Sequence, residues 1–385
     1  MTAQKLLEII QSEQRNGVKP NQEEELKRYI DRLLCTKEFN LSKERQDEMV
    51  EKYRYIATIL PTKFQDISSY YILRERFLGF DEIVNDVLSP QADDTRLNTF
   101  PVFGTIKMPR FNAFITPTDN KDDSLIVFGE SLITFAGMIS KCVALSMAFE
   151  EGEDDIINFF TDIDNIKNVL DLDKTAVAHF LDLMFAYMLT FEPYYAKMFF
   201  VLPQIAPMAS VLCRGFETFI AGHEYAHYLL GHRGVRNLSD LEKVNVFREI
   251  EADTLGMKIA HKRLLCDNFD DDLAIAGIYL GLKSVELTEL IVNLRECRDG
   301  NCFVYETHPK ASIRCESFLK GITKQENLLM IESVDFIIEY MMKEFNLMFD
   351  CFVRKFGDKF WETSDILETL QNIQHSIYER YPALC

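Results

Sequence analysis

"NTFPVFGTIKMPRFNAFITPTDNKDDSLIVFGESL", residues 98–132, is where this chain reads most clearly as β-structure. β-branched and aromatic residues come in short runs, and the polar cluster "PTDNKDD" divides the second run from the third. Such runs between Pro, Asn and Asp breakers predict a strand, a second strand and a hairpin-like turn into a third. On both sides the pattern changes to apolar residues every three or four positions, the period of a helix. Residues 1–95 read as charge-rich helices, for instance "NQEEELKRYIDRLLCTK" and "SKERQDEMVEKYRYIATIL". From about 133 to 262 the pattern is helical and strongly apolar. "RECRDGNCFVYETHPKAS" reads as a loop, and residues 326–385 read as helical again. The expected fold class is α+β, mainly helical, with one small β-sheet.

Composition narrows the function classes. At roughly 100–200 residues per domain, 385 residues suggest two or three domains, and a hydrophobic fraction of 47% is that of a globular chain. The net charge is −19, with 61 acidic against 42 basic residues. Such a surface repels phosphate backbones, so no nucleic-acid partner is expected. It favours solubility, and it would also attract cationic polypeptides. None of the nine cysteines falls in a C-x-x-C pair, the closest two being Cys297 and Cys302. The start, "MTAQKLLEIIQSEQ", has no apolar core of a secretory signal. Free thiols and a cytoplasmic location are the expectation. No run reaches the roughly 18 uncharged apolar residues of a membrane span. "SLIVFGESLITFAGMISKCVALSMAF" is broken by Glu130 and Lys141, and "MFFVLPQIAPMASVLC" is short and carries Pro203 and Pro207. No integral membrane segment is expected, while a peripheral membrane contact stays open.

The chemistry concentrates in "FIAGHEYAHYLLGH", residues 219–232, where His223, Glu224 and His227 make the pattern H-E-x-x-H. Four residues is just over one helical turn, so both imidazoles leave one face. Phe216, Phe219, Ile220, His223, His227 and Leu230 form a single stripe, the core-facing side, and Gly231 is the expected stop. Burying an unpaired polar group costs about 1–3 kcal/mol on protein scales, and a metal ion would satisfy both rings. Glu224 can take a proton from an attacking water without ligating the metal, then deliver it to the leaving amine. A purely structural zinc site would rather fill four positions with Cys and His. On these five residues alone, a chance pattern on an ordinary amphipathic helix explains the match equally well.

Catalytic zinc usually takes three protein ligands. "REIEADTLGMKIA", residues 248–260, offers Glu249, Glu251 and Asp253. Glu249 and Asp253 stand four apart on one helical face, and Glu251 points roughly the opposite way. The face of Glu249 and Asp253 also carries Ala252, Gly256 and Ala260, small residues that let a second helix approach closely. This makes Glu249 the expected third ligand. Asp253 becomes the acceptor that orients a metal-bound histidine through its other ring nitrogen. Glu251, His232 and His261 read as ordinary surface or helix-end residues.

H-E-x-x-H followed by E-x-x-A-D resembles the gluzincin metallopeptidases, in particular the HtpX and CAAX-processing endopeptidase family. "FNAFITPTDNKDDSLIVFGESLITF" is similar to the family's Asn-Ala-Phe strand, here Asn112, Ala113 and Phe114, and "THPKASIRCESFL" resembles its H-P-x4-R segment, here His308, Pro309 and Arg314. The resemblance implies a zincin-like metallopeptidase domain over residues 96–325, with a small sheet and an active-site helix; the long helical stretch at 136–215 departs from the family's shorter spacing and reads as an insertion. Helical regions would flank it at 1–95 and 326–385. It implies one Zn2+ per chain on His223, His227 and Glu249, with Glu224 as general base and Asp253 orienting. It places His308 and Arg314 on the substrate and oxyanion side, where a cation and an imidazole are sensible donors to developing charge. Asn112, Ala113 and Phe114 would start an edge strand that pairs with the backbone of a protein or peptide substrate. A plain structural strand and a loop histidine are the bland alternatives. With no membrane span in the sequence, the leading expectation is a soluble zinc-dependent endopeptidase. A regulatory peptidase that cuts one partner, and a non-catalytic helical interaction module with a structural zinc or none, are the competing readings.

Overall fold

The computed structural model describes residues 1–19, 21, 23, 24, 27, 42–87, 100–108, 111–118, 123–151, 157–232, 241–296, 310–322, 325–357 and 366–381. In chain order the helices before the sheet are α1 (Ala3–Gln14), α2 (Lys43–Thr58), α3 (Ile67–Phe77) and α4 (Phe80–Val87). Strands β1 (Val102–Ile106), β2 (Ala113–Pro117) and β3 (Ser124–Gly129) follow, then α5 (Glu130–Ser146), β4 (Ala148–Glu151) and β5 (Ile157–Phe160). The remaining helices are α6 (Ile163–Leu172), α7 (Thr175–Thr190), α8 (Ala206–Leu229), α9 (Leu241–Cys266), α10 (Asp271–Glu296), α11 (Ala311–Gly321), α12 (Gln325–Phe356) and α13 (Ile366–Arg380). The mainly helical α+β class expected from the sequence is the class observed. No helix of the described residues is long and apolar enough to cross a membrane.

The chain forms two compact units that interleave in sequence. The first comprises Met1–Ile133, Glu217–Asn268 and Glu306–Lys310, and the second comprises Thr134–Phe216, Phe269–Tyr305 and Ala311–Cys385.

The first unit holds the three strands predicted over 98–132, in the order β1-β3-β2. β1 runs parallel to β3, and β2 pairs antiparallel with it, Phe114 opposite Val127. All six residues of central β3 are buried. That is why its sequence reads as a continuous apolar run rather than an alternation. α1 covers the sheet through Ala3 and Leu7, which pack with Ile106, Leu125 and Val127. Together with Gln65, just before α3, it also closes the outer edge of β1. Gln11 Nε2 donates to Thr105 O (2.7 Å), Gln65 Oε1 accepts from Thr105 N (3.0 Å), and Gln14 exchanges two bonds with the backbone of Lys107 (2.8 and 3.1 Å). Side-chain amides there do what a fourth strand would do.

An aromatic cluster fastens α8 near the sheet. Phe77 on α3 stacks on Phe103 of β1 (4.5 Å between centroids) and meets Phe128 of β3 edge-on (5.9 Å). Tyr225, the residue after Glu224, touches Phe77, Phe80 and Phe100 and donates its hydroxyl to Asp81 (2.6 Å). Burial and that acceptor push the Tyr225 phenol up, so it stays a neutral donor.

The second unit is built around α7, buried at every position from Thr175 to Leu189. A helix that is apolar all round belongs inside a protein. Helices α10, α12 and α13 pack against it. The first half of α8 crosses α10 backbone to backbone, where a Cβ added at Gly215 would stand 2.7 Å from the Cα of Gly277. One correction falls in this unit. Residues 148–160 were expected to continue a helix, yet β4 and β5 form an antiparallel hairpin with Phe149 opposite Phe159. Each strand is four residues long, too short for a two-residue period to show against the helical neighbourhood.

Candidate metal centre

α8 enters the first unit with a buried face, on which Phe219 is fully buried and Ile220, His223 and His227 are buried. Leu230, expected on the same stripe, is exposed at 39% because the helix ends at Leu229. The end follows the expected glycine. Gly231 has φ +64°, its N–H bonds to Tyr228 O (3.2 Å), and His232 N bonds to His227 O (3.0 Å). This is the paired-bond stop in which a left-handed residue returns the chain over the last turn.

α9 crosses α8 beside the histidines. A Cβ on Gly222 would meet Gly256 O at 2.7 Å, and one on Gly256 would meet the nitrogen of His223 at 2.7 Å. Ala252 and Ala260 on the same face of α9 are fully buried. Only this near-contact of backbones lets a carboxylate from α9 reach imidazoles on α8.

The resulting geometry is compact. His223 Nε2 and His227 Nε2 lie 3.1 Å apart. Glu249 Oε2 is 3.4 Å from His223 Nε2, and Glu249 Oε1 is 3.3 Å from His227 Nε2. Donor atoms around a tetrahedral zinc with bonds of about 2.0–2.2 Å stand roughly 3.3–3.6 Å apart, so these separations fit a metal ion to within a few tenths of an ångström. All three side chains are buried, and together they could hold a metal ion. A divalent cation held between them would satisfy the buried carboxylate and both ring nitrogens at once.

The surrounding residues sort as follows. Asp253 Oδ1 lies 2.9 Å from His223 Nδ1, the orienting position read from the sequence. Glu224 is buried one residue from His223, its side chain leaving the helix about 100° round from that of His223. His232, read as an ordinary surface or helix-end residue, does stand just past the end of α8, but its side chain is only 7% exposed. Its Nδ1 lies 3.0 Å from His227 Nδ1, and its Nε2 lies 3.4 Å from Glu251 Oε2. Burial, and next the His227 ring, hold the His232 imidazole below its usual pKa. Glu251 is 62% exposed, as expected of a solvated charge, yet it reaches this ring. Spacing on a helix could not show either contact, because His232 is placed by the turn at Gly231.

On the sheet, Asn112 is exposed, and Ala113 and Phe114 are half-buried at the start of edge strand β2. Gly129 N donates to Asn112 O (2.9 Å), which makes residues 112, 114 and 116 the bonded partners of β3. The N–H and C=O of Ala113 and Ile115 therefore point to the outer edge. Arg314 is buried in the first turn of α11, in the second unit. His308 and Pro309 lie outside the described residues. Compared with protein-family models, with curated proteins and with solved structures, the chain matches none.

Proposed function

We propose that this chain is a zinc-dependent endopeptidase with a zincin-like core of the gluzincin type. The observation that carries the reading is the near-equal spacing of His223 Nε2, His227 Nε2 and the Glu249 carboxylate beside a buried Glu224. Two imidazoles and one carboxylate are a donor set of catalytic zinc, whereas structural zinc prefers four Cys and His ligands. Among the described residues the group has three members and no cysteine.

A zinc ion held there would supply Lewis acidity toward water and a substrate carbonyl. Glu224 would accept the proton of the attacking water and pass it to the leaving nitrogen, a role for which it need not be a ligand. Asp253 would fix the His223 ring and its tautomer. The outward N–H and C=O groups of Ala113 and Ile115 suit an extended peptide laid along β2, which would hold the scissile bond by backbone contacts and not by side-chain identity.

The test compares two carboxylate variants. Glu224→Gln should keep the metal found in the wild-type protein and lose cleavage of an unstructured protein substrate by about 10²–10⁴-fold. Glu249→Gln should lose metal and activity together. A wild-type chain purified without bound metal and with no affinity for zinc would overturn the reading, and so would undiminished cleavage by Glu224→Gln.

A further inference from the structure

We propose that His232 and Glu251 are positioning residues for His227, forming a relay that orients the second metal ligand from behind. The inference rests on the metal-site reading above but goes beyond it, since His232 lies outside both patterns and Glu251 fills a variable position of E-x-x-A-D.

The geometry is specific at each step. A histidine one residue past a helix stop would ordinarily face solvent. Here the left-handed Gly231 returns the chain, His232 N bonds to His227 O, and the imidazole is folded back to 7% exposure. The two rings meet through Nδ1 atoms, 3.0 Å apart. Tautomers then follow by elimination. Ligation through His227 Nε2 leaves the ring proton on Nδ1, which donates to His232 Nδ1 as a lone-pair acceptor. The His232 proton must therefore sit on Nε2, the atom that faces Glu251 Oε2 at 3.4 Å. Every proton has one place, and the chain of contacts ends on a solvated carboxylate. The two ligand histidines are thus held differently. His223 meets a carboxylate directly at Asp253, and His227 meets one through an interposed imidazole.

Partners behind a metal ligand fix its ring angle and raise its basicity, and losing one typically costs about 10–100-fold in metal affinity. The experiment is a Co2+ titration of the full metal-free chain, with chelator competition and visible absorption as readouts. His232→Phe fills the same space without an acceptor and should weaken Co2+ binding about 10–100-fold and shift the absorption bands. His232→Asn keeps an acceptor oxygen where Nδ1 stands and should recover most of the affinity. Glu251→Gln should weaken binding in the same direction but less than His232→Phe. Wild-type affinity and an unchanged spectrum in His232→Phe would overturn the inference while leaving the metal centre intact. Equal losses in the Phe and Asn variants, tracking a lowered melting temperature, would reduce His232 to packing and overturn it too. A wild-type chain that binds no Co2+ would remove the metal reading and this inference together.

Discussion

Gly256 packs on the backbone of His223: a Cβ built on Gly256 would stand 2.7 Å from the His223 nitrogen and 2.8 Å from its Cα. The obstruction is backbone, which cannot swing aside, so Gly256→Ala must push α9 away from α8. Overpacking of this kind costs typically about 1–3 kcal/mol. Because Glu249 rides on α9 while both histidines ride on α8, the affinity of this group for a metal ion should fall with it. Gly137→Ala is the control. It is also a mid-helix glycine but has nothing within 4 Å of its added Cβ, so it should be neutral or up to about 1 kcal/mol stabilising. Chemical denaturation and zinc competition on both variants check this, and equal behaviour of the two would refute the crossing.

The outer edge of β2 offers a second test. The N–H of Ile115 points away from β3, so Ile115→Pro removes a donor from the outer edge without breaking the sheet. Proline is tolerated on an edge strand in this orientation. If substrate pairs there, kcat/KM for an unstructured peptide should fall about tenfold, the worth of one backbone hydrogen bond, with metal content and melting temperature unchanged. An unaltered kcat/KM would leave β2 a structural strand.

Arg76 and Glu217 bind α3 to α8 inside the first unit. Arg76 Nη2 and Nε lie 2.6 and 2.8 Å from one Glu217 oxygen, and the side chains are 13% and 4% exposed. Removing one partner strands a charge in low dielectric, so Arg76→Met should cost about 3–5 kcal/mol. Replacing both residues by Met should restore most of that loss, since the pair itself is offset by its own desolvation. Denaturant midpoints of the single and double variants decide it. A cost below about 1 kcal/mol for Arg76→Met would mean the pair is solvated.

Much of this site was legible because helical spacing is rigid. His223, His227, Glu249 and Asp253 fall into place from one-turn intervals, and Gly256 and Ala252 mark the face where two helices can touch. The three strands were legible from breakers around 98–132. What escaped depends on geometry that no period encodes. His232 reaches His227 only through a left-handed turn, and Glu251 matters only because His232 is there. The hairpin of β4 and β5 is too short to announce itself, and the interleaving of two units arises from contacts between residues far apart in the chain.

The second unit carries a pH dependence of predictable sign. His179 lies flat on Phe199 (3.7 Å between centroids, 4° between planes), with Nδ1 3.0 Å from the Tyr378 hydroxyl. Burial, and then the charges of Lys141 and Lys197, bring its pKa down from 6.5 to about 4, against a weaker opposing pull from Asp173. Between those values the unfolded chain binds the proton and the folded chain does not. Stability from this group is therefore present above about pH 6.5 and lost as the pH falls toward 4. A shift of that size corresponds to at most about 3 kcal/mol. Asp182, which accepts from Tyr378, moves in the other sense. Burial raises its pKa, so its contribution declines as the pH rises through its folded value. His179→Phe separates the two. It keeps a ring against Phe199, leaves Asp182 in place and removes the titrating nitrogen. Between pH 7 and pH 4 the wild-type chain should lose about 3 kcal/mol more than His179→Phe, with parallel curves above pH 7, as read by denaturant unfolding at each pH. Identical losses in the two proteins would show that His179 titrates normally and that its stacked, buried position has no electrostatic cost.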